Sequence, residues 1–534
     1  AAEMQLAGLA PHQQSALAKR SASSPGNGPG PDPDSVEYGT FETICSEGRT
    51  GRVFEPLAGV PSRILEASAD SSRKRFWVRA RVHRIRTSGK VVFVVLRDGP
   101  HTAQATLADP HAGPAMRRFV CKVCDPESVI DVLCTARPAE VKSCSLPGFE
   151  LVVEKVFLVS RPQRKLPFQL DDCQRPPWEE GARVNRDLRI DHRPVDLRAP
   201  AHSAIFRVRS ALVQSWRAKL CEKGFVEIHT PKLISGASEG GAEVFTTDYF
   251  GAKACLAQSP QLYKQMAIAG DMKAVFEVGP VFRAERSRTQ RHLCEFVGLD
   301  MEMEIKEHYF EAIDVLEEVL LASFQAVSQS KSSELQTIRS CYAGPVPAQP
   351  TNATSNGTAG APPRIEPLRV LPPSKNPRIH FRDAISLLRA HGADVEDDQD
   401  LNTELELLLG KIVRDRYNTD FFVVYGFPAA VRPFYTMPDP SNPNYTQSYD
   451  VFLRGQEISS GAQRIHEPHL LLRKLEEKKV DVKSVLDYYN AFQYGTPPHA
   501  GAGIGLERLV MLFIGLQNVR ECSMFPRDPN RLTP

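Results

Sequence analysis

No apolar run in this 534-residue sequence approaches the roughly 18 residues that a membrane-spanning helix needs, and no secretory hydrophobic segment opens it. An intracellular protein with no membrane partner is therefore expected, although residue 1 is Ala and a targeting signal upstream stays open. An excess of one charge is missing too. Lys and Arg total 66 against 64 Asp and Glu, so a nucleic-acid partner has to be met by a local basic patch rather than by overall charge. Cysteine is present without a framework: the eleven residues are an odd number and scattered, which reads as reduced thiols. Cys121-Lys-Val-Cys124 is the only close pair, with no second pair at ribbon spacing, so zinc is not expected.

The length leaves room for two or three domains. Residues 1–36 are rich in Ala, Ser, Gly and Pro and read as a disordered tail, with 37–72 as a connecting segment. From Arg73 to Lys90 there are eight Lys or Arg and no acid. Val78, Ala80 and Val82 alternate there with Arg79, Arg81 and His83, the pattern of a strand with a charged outer face. Further strands over 91–96, 103–107, 128–135 and 149–159 make residues 73–160 a five-stranded β-barrel of the OB type, basic and aromatic on one face and suited to single-stranded nucleic acid. A small barrel with a solvated basic face fits the same pattern.

Residues 161–200 read as a hinge, and 201–534 as a larger domain. Ile205, Val208, Leu212, Val213, Trp216 and Leu220 recur at helical spacing before Gly224, and an edge strand carrying Pro231 follows. An irregular insertion is expected at about 336–377, with nine Pro between Pro345 and Pro377. Helices are expected over 383–391 and 403–414, the second opened by a Thr403–Glu406 capping box, then strands at 421–425 and 447–454 and helices over 468–479 and 482–492.

Two stretches carry chemistry. Ala274, Phe276 and Val278 share one face of a strand that runs into a loop with Arg286, Arg288, Arg291 and His292, with Arg283 and Glu285 at its base and Phe296, Leu299 and Met301 along the return. Such a loop suits a polyphosphate, hence a nucleotide. Gly501, Gly503 and Gly505 read as a turn into an apolar helix that begins with Arg508, letting backbone approach a ligand beside a fixed cation.

Phe282-Arg-Ala-Glu285, the basic loop and Arg291-His-Leu-Cys-Glu-Phe296 resemble the second signature motif of class II aminoacyl-tRNA synthetases. Gly503-Ile-Gly-Leu-Glu-Arg508 resembles the third, and the long helix, strand and Pro231 resemble the first, which builds the dimer interface in that family. Ser238-Glu239, Gln258 to Lys264 and Gly455 to His466 further resemble the aspartyl-tRNA synthetases that carry an N-terminal OB domain. The resemblance covers about residues 73–534. Arg286, Glu467 and Ala502 depart from the usual spelling, and none of them removes a ligand-holding group.

The resemblance implies an α+β multidomain protein: an OB-fold anticodon-binding barrel before a catalytic domain whose antiparallel sheet is flanked by helices. It implies a cytoplasmic homodimer that uses ATP and Mg²⁺ to join L-aspartate to tRNA(Asp). Carried onto this chain, Arg283, Glu457 and Arg508 would serve catalysis. Ser238, Glu239, Gln261, Lys264, Arg283, Asp300, Ser460 and Arg464 would surround the aspartate, with Lys264 and Arg464 on its side-chain carboxylate and Glu239 and Asp300 on its ammonium. ATP would meet Arg283, Ala284, Glu285, Arg291, His292, Leu293, Phe296, Glu457, Ile458, Gly505, Leu506, Glu507 and Arg508. Glu457 and Ser460 would hold the metal, with Asp450 as an outer group, and Arg86, Phe93, Gln104 and Glu150 would read the anticodon. The rival readings are an asparaginyl enzyme, against which Lys264 argues, and a non-catalytic tRNA- or partner-binding relative, against which Arg283, Glu457 and Arg508 argue.

Overall fold

A computed structural model describes residues 36–40, 51–65, 75–235, 244–287, 289–342 and 365–533. Residues 1–35 of the expected tail, 343–364 of the Pro-rich insertion, and Ser238, Glu239 and Arg288 lie outside the described residues. The chain divides into two compact units between Leu166 and Pro167. Among the described residues no helix is long and apolar enough to cross a membrane.

The first unit is the expected barrel. Strands β1 (Tyr38–Thr40), β2 (Phe76–Ser88), β3 (Val91–Asp98), β4 (His101–Leu107), β5 (Val129–Pro138) and β6 (Phe149–Ser160) run in the order β1-β6-β4-β3-β2-β5, and a β5–β6 pairing closes the ring. Alternation explains the closure: Val78, Ala80 and Val82, Val92, Val94 and Leu96, and Ala103, Ala105 and Leu107 all point inward. Each such Val or Leu contributes about 1.5–3 kcal/mol by leaving water. Outside, Arg79 of β2 grips Asp131 of β5 with two hydrogen bonds of 2.7 and 2.8 Å. The barrel also takes in residues upstream of 73: β1 adds in parallel to β6, and Leu57 and Val60 are fully buried in its core. The helix Pro114–Val123, with Pro in its first turn and Met116 and Val120 buried, covers that core and has no counterpart in the sequence expectation.

In the second unit the helix Pro200–Glu222 buries Ile205, Val208, Leu212, Trp216 and Leu220 in one cluster with Leu316, Leu320 and Phe324 of the helix Phe310–Ser330. Three short strands, β8 (Leu233–Ile234), β9 (Thr246–Tyr249) and β10 (Ala252–Leu256), form a small sheet of their own. The main sheet has eight strands in the order β13-β14-β15-β16-β17-β12-β11-β7. They are β7 (Val226–Glu227), β11 (Ala274–Phe282), β12 (Glu295–Glu304), β13 (Arg378–His380), β14 (Phe421–Tyr425), β15 (Ser448–Leu453), β16 (Gln456–Gln463) and β17 (His499–Gly505). It is antiparallel from β14 to β11, with a parallel pair at each edge.

Two local expectations are corrected. The Gly-rich segment is the strand β17, not a turn: β16 and β12 supply a ladder on either side, which overrides the weak strand propensity of glycine. The helix Thr403–Tyr417 is capped by Asn402, whose side chain accepts from the backbone N–H of Glu404 and Leu405, both at 3.0 Å, rather than by a Thr403–Glu406 box. This helix lies against the turn between β15 and β16 so tightly that a Cβ on Gly410 would collide with the backbone of Gly455.

Candidate active site

β12 lies centrally in the sheet and places Asp300 and Glu302, two residues apart, on one face. Their register partners on β17 are Gly503 and Gly501. A Cβ at either glycine would strike the facing carboxylate, so the bare strand is what makes room for two acids side by side.

Both acids are met by cations. Lys264, projecting from the helix Gln261–Ala269 and 1% exposed, places Nζ 3.1 Å from Asp300 Oδ1 and 3.4 Å from Glu302 Oε2, and donates to the carbonyls of Met301 and Ala502. Arg464, just beyond β16, binds Glu302 bidentately through Nε (2.9 Å) and Nη2 (3.2 Å). Burial works to raise the Glu302 carboxyl, but Arg464 and then Lys264 bring it below its ordinary range. Burial raises Asp300 against the pull of Lys264. His499, pushed down to about 4 by burial, stays neutral beside them.

The opposite end of the site is basic. A cavity of about 270 Å³ is lined by Arg283, Arg291, His292 and Phe296 of the β11–β12 hairpin, by Glu457 and Ser460 of β16, and by Arg508 at the start of the helix Leu506–Ile514, and it reaches Asp300 and Arg464. Arg283 lies 5.6 Å from the centre of the Phe296 ring, leaving a cation next to an aromatic face. Arg291 bonds Glu406 Oε2 at 2.9 Å and Thr403 Oγ1 at 2.5 Å, which is where the supposed capping pair is used. Arg508 donates to the backbone carbonyls of Glu457 (3.1 Å) and Arg291 (3.4 Å). Burial, then Arg508, lowers the His292 ring below its ordinary value, so it too is neutral.

The Glu457 carboxyl is raised to about 7 by burial and then by Asp450. Asp450 is spoken for: Arg432 takes its two oxygens at 3.0 and 2.6 Å and donates to Ser460 Oγ at 2.7 Å.

The sequence matches the family described as tRNA synthetases class II (D, K and N) over residues 185–529. It is 44% identical over 504 residues to the cytoplasmic aspartate–tRNA ligase of Rattus norvegicus, covering 93% of this chain and 94% of that one. The chain belongs to the class II tRNA synthetases. Among solved structures, a putative aspartyl-tRNA synthetase from Leishmania major Friedlin superposes with a TM-score of 0.82 at 40% identity, covering 93% of this chain and 98% of that one. An asparaginyl-tRNA synthetase from Pyrococcus horikoshii complexed with asparaginyl-adenylate gives 0.72 at 28% identity, covering 88% and 99%. Synthetases of this class use ATP.

Of the residues expected in the synthetase site, Gln261, Arg283, Glu285, Arg291, His292, Leu293, Phe296, Asp300, Glu457, Ile458, Ser460, Arg464, Gly505, Glu507 and Arg508 line one cavity. Lys264 does not reach its wall; it lies behind Asp300 as that acid's partner. Ala284 is off the wall, and Leu506 is core. Glu507 lines the cavity but also braces it, accepting from Arg209 Nη2 at 2.9 Å and from the Val297 N–H at 3.0 Å. Asp450, expected as an outer metal group, is paired with Arg432. Glu302 and Arg432 went unremarked in the sequence and Glu406 was read only as half of a capping box, because each is defined by a partner outside its own stretch.

On the barrel, Arg86, Phe93, Gln104 and Glu150 form one connected group. Arg86 lies opposite Phe93 in register, 4.9 Å from its ring, and donates to Gln104 Oε1 at 2.6 Å. Gln104 donates to Glu150 Oε2 at 2.9 Å, and Arg137 to Glu150 Oε1 at 2.6 Å. Phe93 is half-buried on the outer face and stands outside the barrel core.

Proposed function

We propose that this chain is an aspartate–tRNA ligase that activates L-aspartate with ATP and transfers it to the 3′ end of tRNA(Asp) in the cytoplasm, the compartment in the names of its curated relatives. The observation that carries the choice of amino acid is the charge at the amino-acid end of the cavity. Arg464 brings its guanidinium to the cavity wall, a cation that would meet the side-chain carboxylate of aspartate, while Lys264 backs Asp300 from behind that wall. Asparagine has no side-chain carboxylate to meet that guanidinium.

Activation needs no side-chain nucleophile. The α-carboxylate of aspartate attacks the α-phosphorus of ATP in line; the P–O bond to pyrophosphate breaks, and pyrophosphate leaves with its electron pair. In the second step the terminal ribose hydroxyl of tRNA attacks the aspartyl carbonyl and AMP leaves. The protein's part is positioning and charge neutralisation. Arg283, beside Phe296, would meet the α-phosphate while the ring stacks on adenine, and Arg508, on the wall of the same cavity, would meet the far phosphates.

Magnesium fits this site at Glu457, a hard oxygen donor whose carboxyl stays near 7 even with Arg508 and Arg432 nearby. It would supply charge neutralisation on the polyphosphate. Asp450 and Ser460, both engaged by Arg432, fit it less well.

Homodimerisation belongs to the same proposal. The edge strand β7 and the segment that carries Pro231 expose Val226 and Leu233, and Phe250 at the β9–β10 tip is 94% exposed. The deciding experiment is ATP–pyrophosphate exchange with the full chain, which is expected with aspartate and not with asparagine. Exchange with asparagine alone would overturn the reading.

A further inference from the structure

Val519 lines the cavity although it lies outside all three motifs, in the segment that follows the helix Leu506–Ile514. It opens a short turn, Val519–Glu521, that Asn518 caps by accepting from the Arg520 N–H at 3.1 Å. From this turn the β11–β12 loop is tied down at backbone level. Val519 N–H donates to the Gln290 carbonyl at 2.9 Å and Arg520 Nη1 to the Thr289 carbonyl at 3.0 Å, while Cys294 N–H donates to the Arg527 carbonyl at 2.8 Å. These anchors bracket Arg291 and His292. Arg520 is 7% exposed, and its Nε donates to Asp528 Oδ2 at 2.6 Å. Behind it Arg193 donates to the carbonyls of Arg520 (3.1 Å), Ser523 (2.6 Å) and Met524 (2.8 Å), so the strap is itself clamped.

We propose that Arg520 is a positioning residue for nucleotide binding: by joining the Thr289 carbonyl to the Asp528 carboxylate it fixes the stretch of loop that presents Arg291 and His292 to the polyphosphate. This rests on the reading of that loop as the ATP site. A guanidinium can serve both acceptors at once from a rigid fork, whereas a lysine ammonium is a single point on a flexible stem.

The test is pyrophosphate exchange with the full-length chain. Arg520→Gln is expected to raise the KM for ATP by about ten- to a hundredfold, the worth of a charge-assisted hydrogen bond, while the KM for aspartate stays at the parent value. Arg520→Lys is expected to lie between. An unchanged KM for ATP, or equal rises for both substrates, overturns the proposal. Should Arg520→Gln fail to fold, Asp528→Asn keeps the arginine but removes the charge that aims it. A smaller rise in the KM for ATP alone is then expected, and no rise overturns the proposal. Arg283→Ala separates the two layers of the argument. Exchange surviving in Arg283→Ala defeats the ATP reading of the loop; a dead Arg283→Ala with a normal KM for ATP in Arg520→Gln defeats only the positioning role.

Discussion

Arg464 holds both carboxylate oxygens of Glu302, at 2.9 and 3.2 Å, while its own guanidinium borders the cavity. The cation that a substrate carboxylate would meet is thus oriented before any ligand arrives, and Lys264 is fixed in the same way on Asp300. Specificity in such a site depends on which charges remain after the internal pairs are counted.

Lys264→Leu is expected to erode the preference for aspartate over asparagine in exchange assays. An unpaired buried charge costs roughly 2–5 kcal/mol, about 30-fold to several thousandfold in preference. The variant also strands Asp300, so denaturant unfolding should show a loss of about 3–5 kcal/mol. Adding Asn at position 300 is expected to recover stability without recovering the preference. Unaltered discrimination in the single variant would remove Lys264 from the specificity argument.

Arg283→Ala is expected to abolish aspartate-dependent pyrophosphate exchange while the far-ultraviolet circular dichroism and melting temperature stay at parent values. Its side chain is 40% exposed, so folding does not depend on it. Near-normal exchange would exclude it from the activation step.

Glu457 gives a pH signature. Its folded carboxyl sits at about 7 against an ordinary 4.5, so the folded chain keeps a proton that the unfolded chain releases between those values. Metal-free stability should therefore fall as pH rises through that window, and Mg²⁺ should offset the fall at the upper end. Thermal unfolding with chelator and with Mg²⁺, on parent and Glu457→Gln, measures this. An equal Mg²⁺ effect in both proteins would place the ion elsewhere.

How much of this was legible depends on how local each signal is. The β11–β12 hairpin could be read because its alternation and its arginines lie within one short stretch, and the barrel because inward Val and Ala alternate strand by strand. Glu302 could not. An acid inside a strand is marked by its partners, Arg464, 162 residues away, and Lys264 on another element. Glu406 matched a capping box by spacing alone, but Arg291, 115 residues earlier, claims its carboxylate, and Asn402 takes the cap. The glycines of β17 read as a turn because nothing in their own stretch reports the carboxylates they face.

Phe93→Ala and Gln104→Ala are expected to lower tRNA aspartylation many-fold, since losing a base stack costs about 1–3 kcal/mol, with pyrophosphate exchange unaffected. Gln104→Ala also unlinks Arg86 from Glu150, so its effect should exceed that of Arg86→Ala. If aspartylation and exchange fall together, or neither changes, the barrel does not recognise the anticodon through this group.

The tight approach of Gly410 to Gly455 has a bearing on how a mutational map of this protein should be read. The distance it permits lets Glu406 reach both Arg291 and the Glu457 N–H, at 2.9 and 3.2 Å. A single methyl added on that helix would push the shared carboxylate outward and uncouple the loop from the strand. Gly410→Ala should therefore score among the most damaging changes in an activity screen, although it alters no charge, proton or polar atom. In this protein spacing behaves as a functional group.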